Sequence, residues 1–145
     1  MTSRIAGHEM TAADVMSSPV ISLAETSPIL EAANLMLRQQ IRHIVVVNGT
    51  HCIGVLTDRD LLETWYRGPA AMRTTIVRGL VANRTSCVLP DAALRQVARV
   101  MNENQVDAVP VVEEGGELLG LITAGDVVHA VAHYGLVIPA DAEAS

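Results

Sequence analysis

The chain has 145 residues, half of them apolar, and a formal net charge of −6, which suits one domain or two small repeats sharing a core. The acidic balance argues against binding of duplex DNA or RNA, which needs a basic face that displaces counterions. No apolar run approaches the ~20 residues of a membrane span and no signal-peptide pattern begins the chain, so we expect a cytoplasmic protein that does not contact a membrane.

The first part of the chain predicts a helix, a strand and a second helix. Thr11 fits the cap of a short helix that ends near Met16, and residues 20–23 predict a short strand. Ser27 and Pro28 fit the N-cap and the first position of a longer helix. Its apolar residues recur at helical spacing and predict one buried stripe, formed by Ile29, Ala32, Ala33, Met36 and Leu37.

A hairpin and a third helix follow. Residues 44–47 and 52–56 predict two strands joined by a turn at Asn48-Gly49, and Thr57 begins a helix. The first half of the chain therefore has the order β-α-β-β-α. Residues 67–74 contain a Gly-Pro pair and predict a polar connector between the two halves.

The same order returns in the second half of the chain. Residues 86–88 predict a strand and Asp91 the cap of a helix, and residues 109–112 and 118–122 predict a hairpin before Thr123 begins the last helix. The predicted inward residues of the first of these helices are Leu94, Val97, Ala98 and Met101. Corresponding residues are 65 apart before the second hairpin and 66 apart after it, so the chain contains one unit twice.

A single unit of this size is too small to bury a core by itself. We therefore predict an α/β (α+β) fold in which two β-α-β-β-α repeats, residues 10–67 and 75–132, pack sheet against sheet with pseudo-two-fold symmetry. Residues 1–9 and 139–145 have no such pattern and are predicted to be flexible termini.

The segments that precede and follow the strands carry a recognisable pattern. Asp14-Val15-Met16 precedes the first strand, Ile41-Arg42-His43 the second, and the hairpins lead into Gly54–Asp60 and Gly120–Asp126. With the repeated order of elements, these segments resemble a pair of CBS domains, the cystathionine-β-synthase-type repeats whose pairs are called Bateman modules. The resemblance covers about residues 10–132, and the chain looks like a stand-alone pair without a catalytic domain.

The resemblance implies a function as well as a fold. CBS pairs bind adenosine-containing ligands (AMP, ADP, ATP or S-adenosylmethionine) as regulatory ligands in clefts between the repeats, and they form homodimers in which two pairs stack into a flat disc. We therefore expect a sensor that is not an enzyme, requires no cofactor and signals to an unknown protein partner. The alternative from another class is a structural dimerisation module whose clefts hold no nucleotide.

The Thr-x-x-Asp segments, Thr57 with Asp60 and Thr123 with Asp126, have two interpretations. A threonine at the start of a helix leaves amide groups and the positive end of the dipole facing outward, and an aspartate in the same turn suits the hydroxyls of a ribose. The same spacing is also an ordinary capping box. Gly54 and Gly120 precede these segments and are expected to allow a close approach of backbone or ligand.

The resemblance also implies which residues surround each ligand. The first site would combine Thr57 and Asp60 with Arg42 and His43 for phosphate and with Val81, Ser86, Val106, Asp107 and Ala108 for the base. The second site would combine Thr123 and Asp126 with Met16, Ile21, Ile41, Arg42 and His43. Asp107 stands where the first repeat has Arg42, and a carboxylate there would repel a phosphate, so the first site is the better candidate.

Other polar residues support weaker hypotheses. Arg59 lies in the first turn after Thr57 and is an additional candidate for a phosphate contact. His129 and His133 have the i, i+4 spacing of a zinc-binding pair but lack a recognised third ligand, and a helix face near a dimer contact is the preferred interpretation. Cys52 and Cys87 are expected to be reduced thiols in apolar strands.

Overall fold

The order helix, hairpin, helix repeats along the chain, as the sequence predicts. The structure is a computed structural model, and it describes residues 9–81 and 86–135. The helices are α1 (Ala12–Val15), α2 (Ile29–Gln39), α3 (Asp58–Tyr66), α4 (Pro69–Thr74), α5 (Arg78–Val81), α6 (Leu94–Asn104) and α7 (Ala124–Tyr134). The strands are β1 (Ser22–Ala24), β2 (His43–Asn48), β3 (His51–Thr57), β4 (Ala108–Val112) and β5 (Leu118–Thr123). None of the helices in these ranges is long and apolar enough to cross a membrane.

The two hairpins, β2–β3 and β4–β5, pair in the same register. In the first sheet β1 pairs parallel with β2, which pairs antiparallel with β3; in the second, β4 pairs antiparallel with β5. Val45 lies opposite Val55, and the corresponding pair in the second sheet is Pro110 and Leu121. Both hairpins also contain an irregularity at the same place, after Val46 in the first and Val111 in the second. The pseudo-symmetry therefore extends to single residues of the backbone.

Apolar side chains form a core on each repeat and a third core between them. The first core packs α2 on the first sheet around Ile44 and Leu56, and the second packs α6 on the second sheet around Val109 and Ile122. The third joins the two sheets, and its buried members are Val45, Val47, Cys52, Ala108, Val112 and Leu121. The predicted packing of sheet against sheet is confirmed, and it removes the apolar face that neither repeat can bury alone.

The two repeats exchange short segments of chain. Ala12 in α1 is buried in the core of the second repeat, and the amide of Leu94 at the start of α6 donates to the carbonyl oxygen of Met10 at 2.8 Å. In the same way, Val77 and Val81 are buried in the core of the first repeat. Each half of the sequence therefore contributes its leading segment to the globular unit of the other half.

This exchange explains why two predicted helix starts are wrong. Ser27 does not cap α2 and Asp91 does not cap α6; the N-cap residues are Pro28 and Ala93, neither with a side-chain hydrogen bond. The amide of Ile29 instead donates to the carbonyl oxygen of Thr75 at 2.9 Å, as the amide of Leu94 does to Met10. A backbone carbonyl from the exchanged segment satisfies the first-turn donor that a side chain satisfies in an ordinary cap.

Three further expectations need correction. Leu37 is 78% exposed, because α2 buries only the face of Ile29, Ala32 and Met36. The connector 67–74 contains α4, which buries Met72 against the first core. The predicted strand at 86–88 is reduced to a single parallel bridge between Val88 and Val111. Cys87 therefore lies outside any strand and is exposed, whereas Cys52 is buried in β3 as expected.

Most of the two predicted flexible termini lies outside the described residues. Of residues 1–9 only Glu9 is described, and its carboxylate accepts a hydrogen bond from Arg95 Nε at 2.8 Å. Residues 139–145 belong to the undescribed range 136–145.

Candidate functional site

Each hairpin ends in a threonine that caps the following helix. Thr57 Oγ1 accepts from the amide of Asp60 at 3.3 Å, and Asp60 Oδ2 accepts from the amide of Thr57 at 2.9 Å. Thr123 and Asp126 repeat both contacts, at 3.3 and 2.8 Å. The capping-box interpretation is therefore confirmed for both segments, and it fixes each carboxylate in the first turn of its helix.

A cleft of about 640 Å³, here called the first cleft, lies beside Asp60 between the two repeats. The first repeat contributes the start of α3, the start of β2 and the end of β3, and the second contributes the stretch before and into β4. The lining residues are Arg42, His43, Gly54, Val55, Thr57, Asp58, Arg59, Asp60, Glu63, Ser86, Gln105, Val106, Asp107, Ala108 and Pro110. Asp60 is only 5% exposed, so its carboxylate lies at the cleft wall and not in bulk solvent.

The first cleft brings together nearly all residues that were predicted for the first site. Val81 is the exception, because it is fully buried behind the wall in the core of the first repeat. It packs against Gly54, where an added Cβ would lie 3.1 Å from both the Val81 Cβ and its carbonyl oxygen. The prediction that Gly54 permits a close approach is confirmed, and the approaching group is the backbone of the exchanged segment.

Sequence reasoning missed several residues of the first cleft. Asp58 and Glu63 line it, and so do Gln105 and Pro110. A signal existed for Glu63, which lies one helical turn after Asp60 and therefore on the same face of α3. For Gln105 and Pro110 the sequence carried no comparable signal, because their position depends on how the second repeat docks.

The cations of the first cleft are paired with carboxylates. Arg42 Nε lies 3.4 Å from Asp58 Oδ2, and Arg59 Nε lies 3.8 Å from Glu63 Oε1. All four side chains are more than half exposed, so these pairs stabilise the fold little.

His43 and Asp107 form a further contact across the two repeats. His43 Nε2 lies 2.9 Å from Asp107 Oδ1, and because an ionised carboxylate only accepts, the proton belongs to Nε2. This hydrogen bond is the main reason that the pKa of the Asp107 carboxyl lies below its usual value of 3.8, against partial desolvation that acts in the opposite direction. The pair ties the start of β2 to the stretch before β4.

The pseudo-symmetric position holds a smaller and more open cleft of about 360 Å³, here called the second cleft. Ile41, Arg42, His43 and Thr123 line it, whereas Asp126, Met16 and Ile21 do not. The Met16 side chain covers Gly120, where an added Cβ would lie 2.5 Å from the methionine Sδ. The carbonyl oxygen of Ile21 accepts from the amide of Val45 at the edge of the first sheet. The structure therefore does not assemble the second predicted set of residues around one cleft.

The remaining candidates lie apart from the first cleft. The rings of His129 and His133 are 4.1 Å apart on the exposed face of α7, and the described part of the chain contains no group of three or more potential metal ligands. Burial, with a smaller contribution from the charge of Cys87, raises the pKa of the Cys52 thiol to about 11. Cys52 is therefore a neutral core thiol at physiological pH.

Comparison with known proteins agrees with the duplicated architecture. The family model for the CBS domain matches residues 12–66 and 72–133. The chain belongs to the CBS-domain family. Curated relatives of this CBS pair include a homoserine O-acetyltransferase of Methanococcoides burtonii, 28% identical, and an inosine-5′-monophosphate dehydrogenase of Korarchaeum cryptofilum, also 28% identical. Each match covers 79% of this chain but 23% of the enzyme, so the CBS pair spans less than a quarter of these relatives.

Solved structures resemble this CBS pair over most of its length. Hypoxic Response Protein I, solved with two zinc ions, is 29% identical with a TM-score of 0.73, covering 83% of this chain and 98% of that chain. The cytosolic domain of the Mg²⁺ channel MgtE, in complex with ATP, is 28% identical with a TM-score of 0.69, covering 83% and 48%. The CBS pair of MJ0100, in complex with 5′-methylthioadenosine and S-adenosyl-L-methionine, is 20% identical with a TM-score of 0.76, covering 86% and 97%.

Proposed function

We propose that this CBS pair is a regulatory module that binds an adenosine-containing ligand in the first cleft. One observation carries the proposal: the first cleft joins the Thr57-Asp60 cap of one repeat to Ser86 and residues 106–108 of the other. Its volume lies within the range of about 300–1,000 Å³ that is typical of small-molecule sites. A ligand held there would contact both repeats at once.

The chemistry of the cleft wall suits a nucleoside. The carboxylate of Asp60 is nearly buried, and there its hydrogen bonds to the two hydroxyls of a ribose would be stronger than in water. Val106 and Ala108 offer apolar atoms and backbone groups on the opposite wall, where a flat base would pack. The exposed side chains of Arg42, Arg59 and Glu63 then surround the mouth, towards which the 5′ substituent would extend.

The related structures support this ligand class. The MgtE domain was solved with ATP and the MJ0100 pair with 5′-methylthioadenosine and S-adenosyl-L-methionine, so proteins of this fold hold several adenosine compounds. Regulation would follow if the ligand binds one arrangement of the two repeats more tightly than another. The His43–Asp107 contact crosses between the repeats at the cleft and would be sensitive to such a change.

Isothermal titration calorimetry of nucleotide-stripped protein tests the proposal. We expect at least one of adenosine, AMP and S-adenosylmethionine to bind at one site per chain, and the matching guanosine compound to bind more weakly or not at all. Absence of binding by every adenosine compound at about millimolar concentration, a free energy of roughly −4 kcal/mol, would reject the proposal and favour a purely structural module. Native mass spectrometry gives an independent result, because a co-purified adenosine compound supports the sensor.

We also propose that two CBS pairs associate as a homodimer through α3 and α7. Leu62 and Trp65 on α3 are 71% and 58% exposed, and Val128 and Val131 occupy the corresponding positions on α7, also exposed. Large apolar side chains at equivalent exposed positions of both repeats are typical of an interaction surface. Two chains that stack these faces would bury all of them and form the disc that the resemblance implies.

Analytical ultracentrifugation tests this association. Trp65→Glu places a charge in the proposed interface, and we expect it to shift the protein from dimer to monomer. Leu37→Glu is the control, because Leu37 is also exposed but lies on α2, outside the proposed interface. A wild-type protein that sediments as a monomer at every concentration would contradict the proposal, and so would loss of the dimer in the control alone.

A further inference from the structure

The first cleft is lined by more negative than positive charge. Among residues 9–81 and 86–135, four carboxylates line it against two guanidinium groups, a balance of −2 with His43 neutral. From this we infer that the first cleft selects an adenosine compound whose 5′ substituent is neutral or cationic, and discriminates against a polyphosphate. The inference rests on the proposed function and narrows its ligand class.

The positive groups at the mouth are already engaged. Arg42 contacts Asp58, Arg59 contacts Glu63, and the His43 imidazole donates to Asp107. A triphosphate that reached either guanidinium would share it with a carboxylate, which would lie within a few ångströms of the phosphate. Like charges at that distance repel, whereas the present pairs attract.

A neutral or cationic substituent meets no such opposition. A thioether adds no charge, so the ion pairs at the mouth stay as they are. A sulfonium or ammonium group would be attracted by Asp58 and Glu63, whose side chains are more than half exposed. S-adenosylmethionine and 5′-methylthioadenosine have these properties, and ATP has the opposite ones.

Competition calorimetry in magnesium-free buffer tests the inference with four compounds that share the adenosine group. We expect 5′-methylthioadenosine and S-adenosylmethionine to bind more tightly than AMP, and ATP to bind at least about tenfold more weakly than 5′-methylthioadenosine at low ionic strength. The gap should shrink at about 1 M salt, where the Debye length falls to about 3 Å.

A charge-neutralising variant separates electrostatics from shape. Asp58→Asn combined with Glu63→Gln releases both arginines and removes two negative charges, so we expect ATP to gain about tenfold in affinity and 5′-methylthioadenosine to change less than about twofold. S-adenosylmethionine should lose affinity. Glu31→Gln is the matched control, because it removes a first-turn carboxylate from α2, outside the cleft, and should leave the order of ligands unchanged.

The outcomes distinguish this inference from the function on which it rests. If no adenosine compound binds, the proposed function fails. If the compounds bind but ATP is the tightest, or the double variant changes all ligands by the same factor, the charge selection is wrong and the adenosine site stands.

Discussion

The two capping carboxylates provide a matched pair of variants, Asp60→Asn and Asp126→Asn. Both carboxylates make the same contact with their threonine amide, at 2.9 and 2.8 Å, and both lie in the first turn of a helix. An asparagine keeps an oxygen that can accept from the amide, so each variant loses mainly the interaction of a negative charge with the helix dipole. We expect each to lower the free energy of unfolding by about 0.3–1 kcal/mol.

The effect on ligand binding should differ between the two variants, because only Asp60 lines the first cleft. A hydrogen bond to a charged acceptor contributes about 1.5–3 kcal/mol and one to a neutral acceptor about 0.5–1.5 kcal/mol. Asp60→Asn should therefore weaken an adenosine ligand by about 1–2 kcal/mol, which is roughly 5–30-fold. Asp126→Asn should change the affinity by less than about twofold.

Two assays on the same preparations separate stability from binding. Urea unfolding monitored by circular dichroism gives the free energy of unfolding, and calorimetry gives the dissociation constant. Similar losses of stability combined with unequal losses of affinity would agree with the structure. Equal weakening of the ligand by both variants, or a stronger effect of Asp126→Asn, would refute the placement of the site at Asp60.

Three further predictions concern the cores and the contacts between repeats. Gly120→Ala should lower the free energy of unfolding by about 1–3 kcal/mol, because the added Cβ would lie 2.5 Å from Met16 Sδ and 2.9 Å from a backbone oxygen. An unchanged midpoint of urea unfolding would contradict this. Because the pKa of Asp107 is lowered in the folded protein, its carboxylate adds stability above the usual pKa of 3.8, and this stability disappears as pH falls through the lower folded pKa. Asp107→Asn should therefore have a lower free energy of unfolding than wild type at pH 6, by at most about 1 kcal/mol, and the two proteins should become equally stable in acid. His43→Ala should reduce that pH-dependent difference, because the His43 hydrogen bond is the largest cause of the low pKa of Asp107, and an unchanged difference would contradict this. Ellman's reagent at pH 8 should react rapidly with the exposed Cys87 alone, because burial raises the pKa of the Cys52 thiol to about 11. Rapid reaction of both thiols would contradict the core position of Cys52.

The repeated pattern predicts the order of elements and the location of the best cleft. The segment Gly54–Asp60 and its copy at Gly120–Asp126 each carry a strand end, a cap and a helix start in a few residues, and local rules suffice to interpret them. Residues at the same offset adopt the same structure, so the second hairpin follows from the first. These features depend on short-range sequence, which is why they are predictable.

The features that failed to follow from the sequence depend on contacts between distant parts of the chain. The start of α2 is set by a carbonyl oxygen of Thr75, and no local rule connects that residue with Ile29. The second cleft differs from the first because Met16, from the exchanged amino-terminal segment, lies on Gly120. The ion pair of Arg42 with Asp58 likewise forms only once β2 and α3 meet. Tertiary packing overrides local preference at each of these places.

A crystal structure of the protein with 5′-methylthioadenosine tests the central claim most directly. The account predicts one ligand between the repeats in the first cleft, with both ribose hydroxyls within hydrogen-bonding distance of the Asp60 carboxylate and the base against residues 106–108. A ligand found at the Thr123–Asp126 cap with the first cleft empty would contradict it.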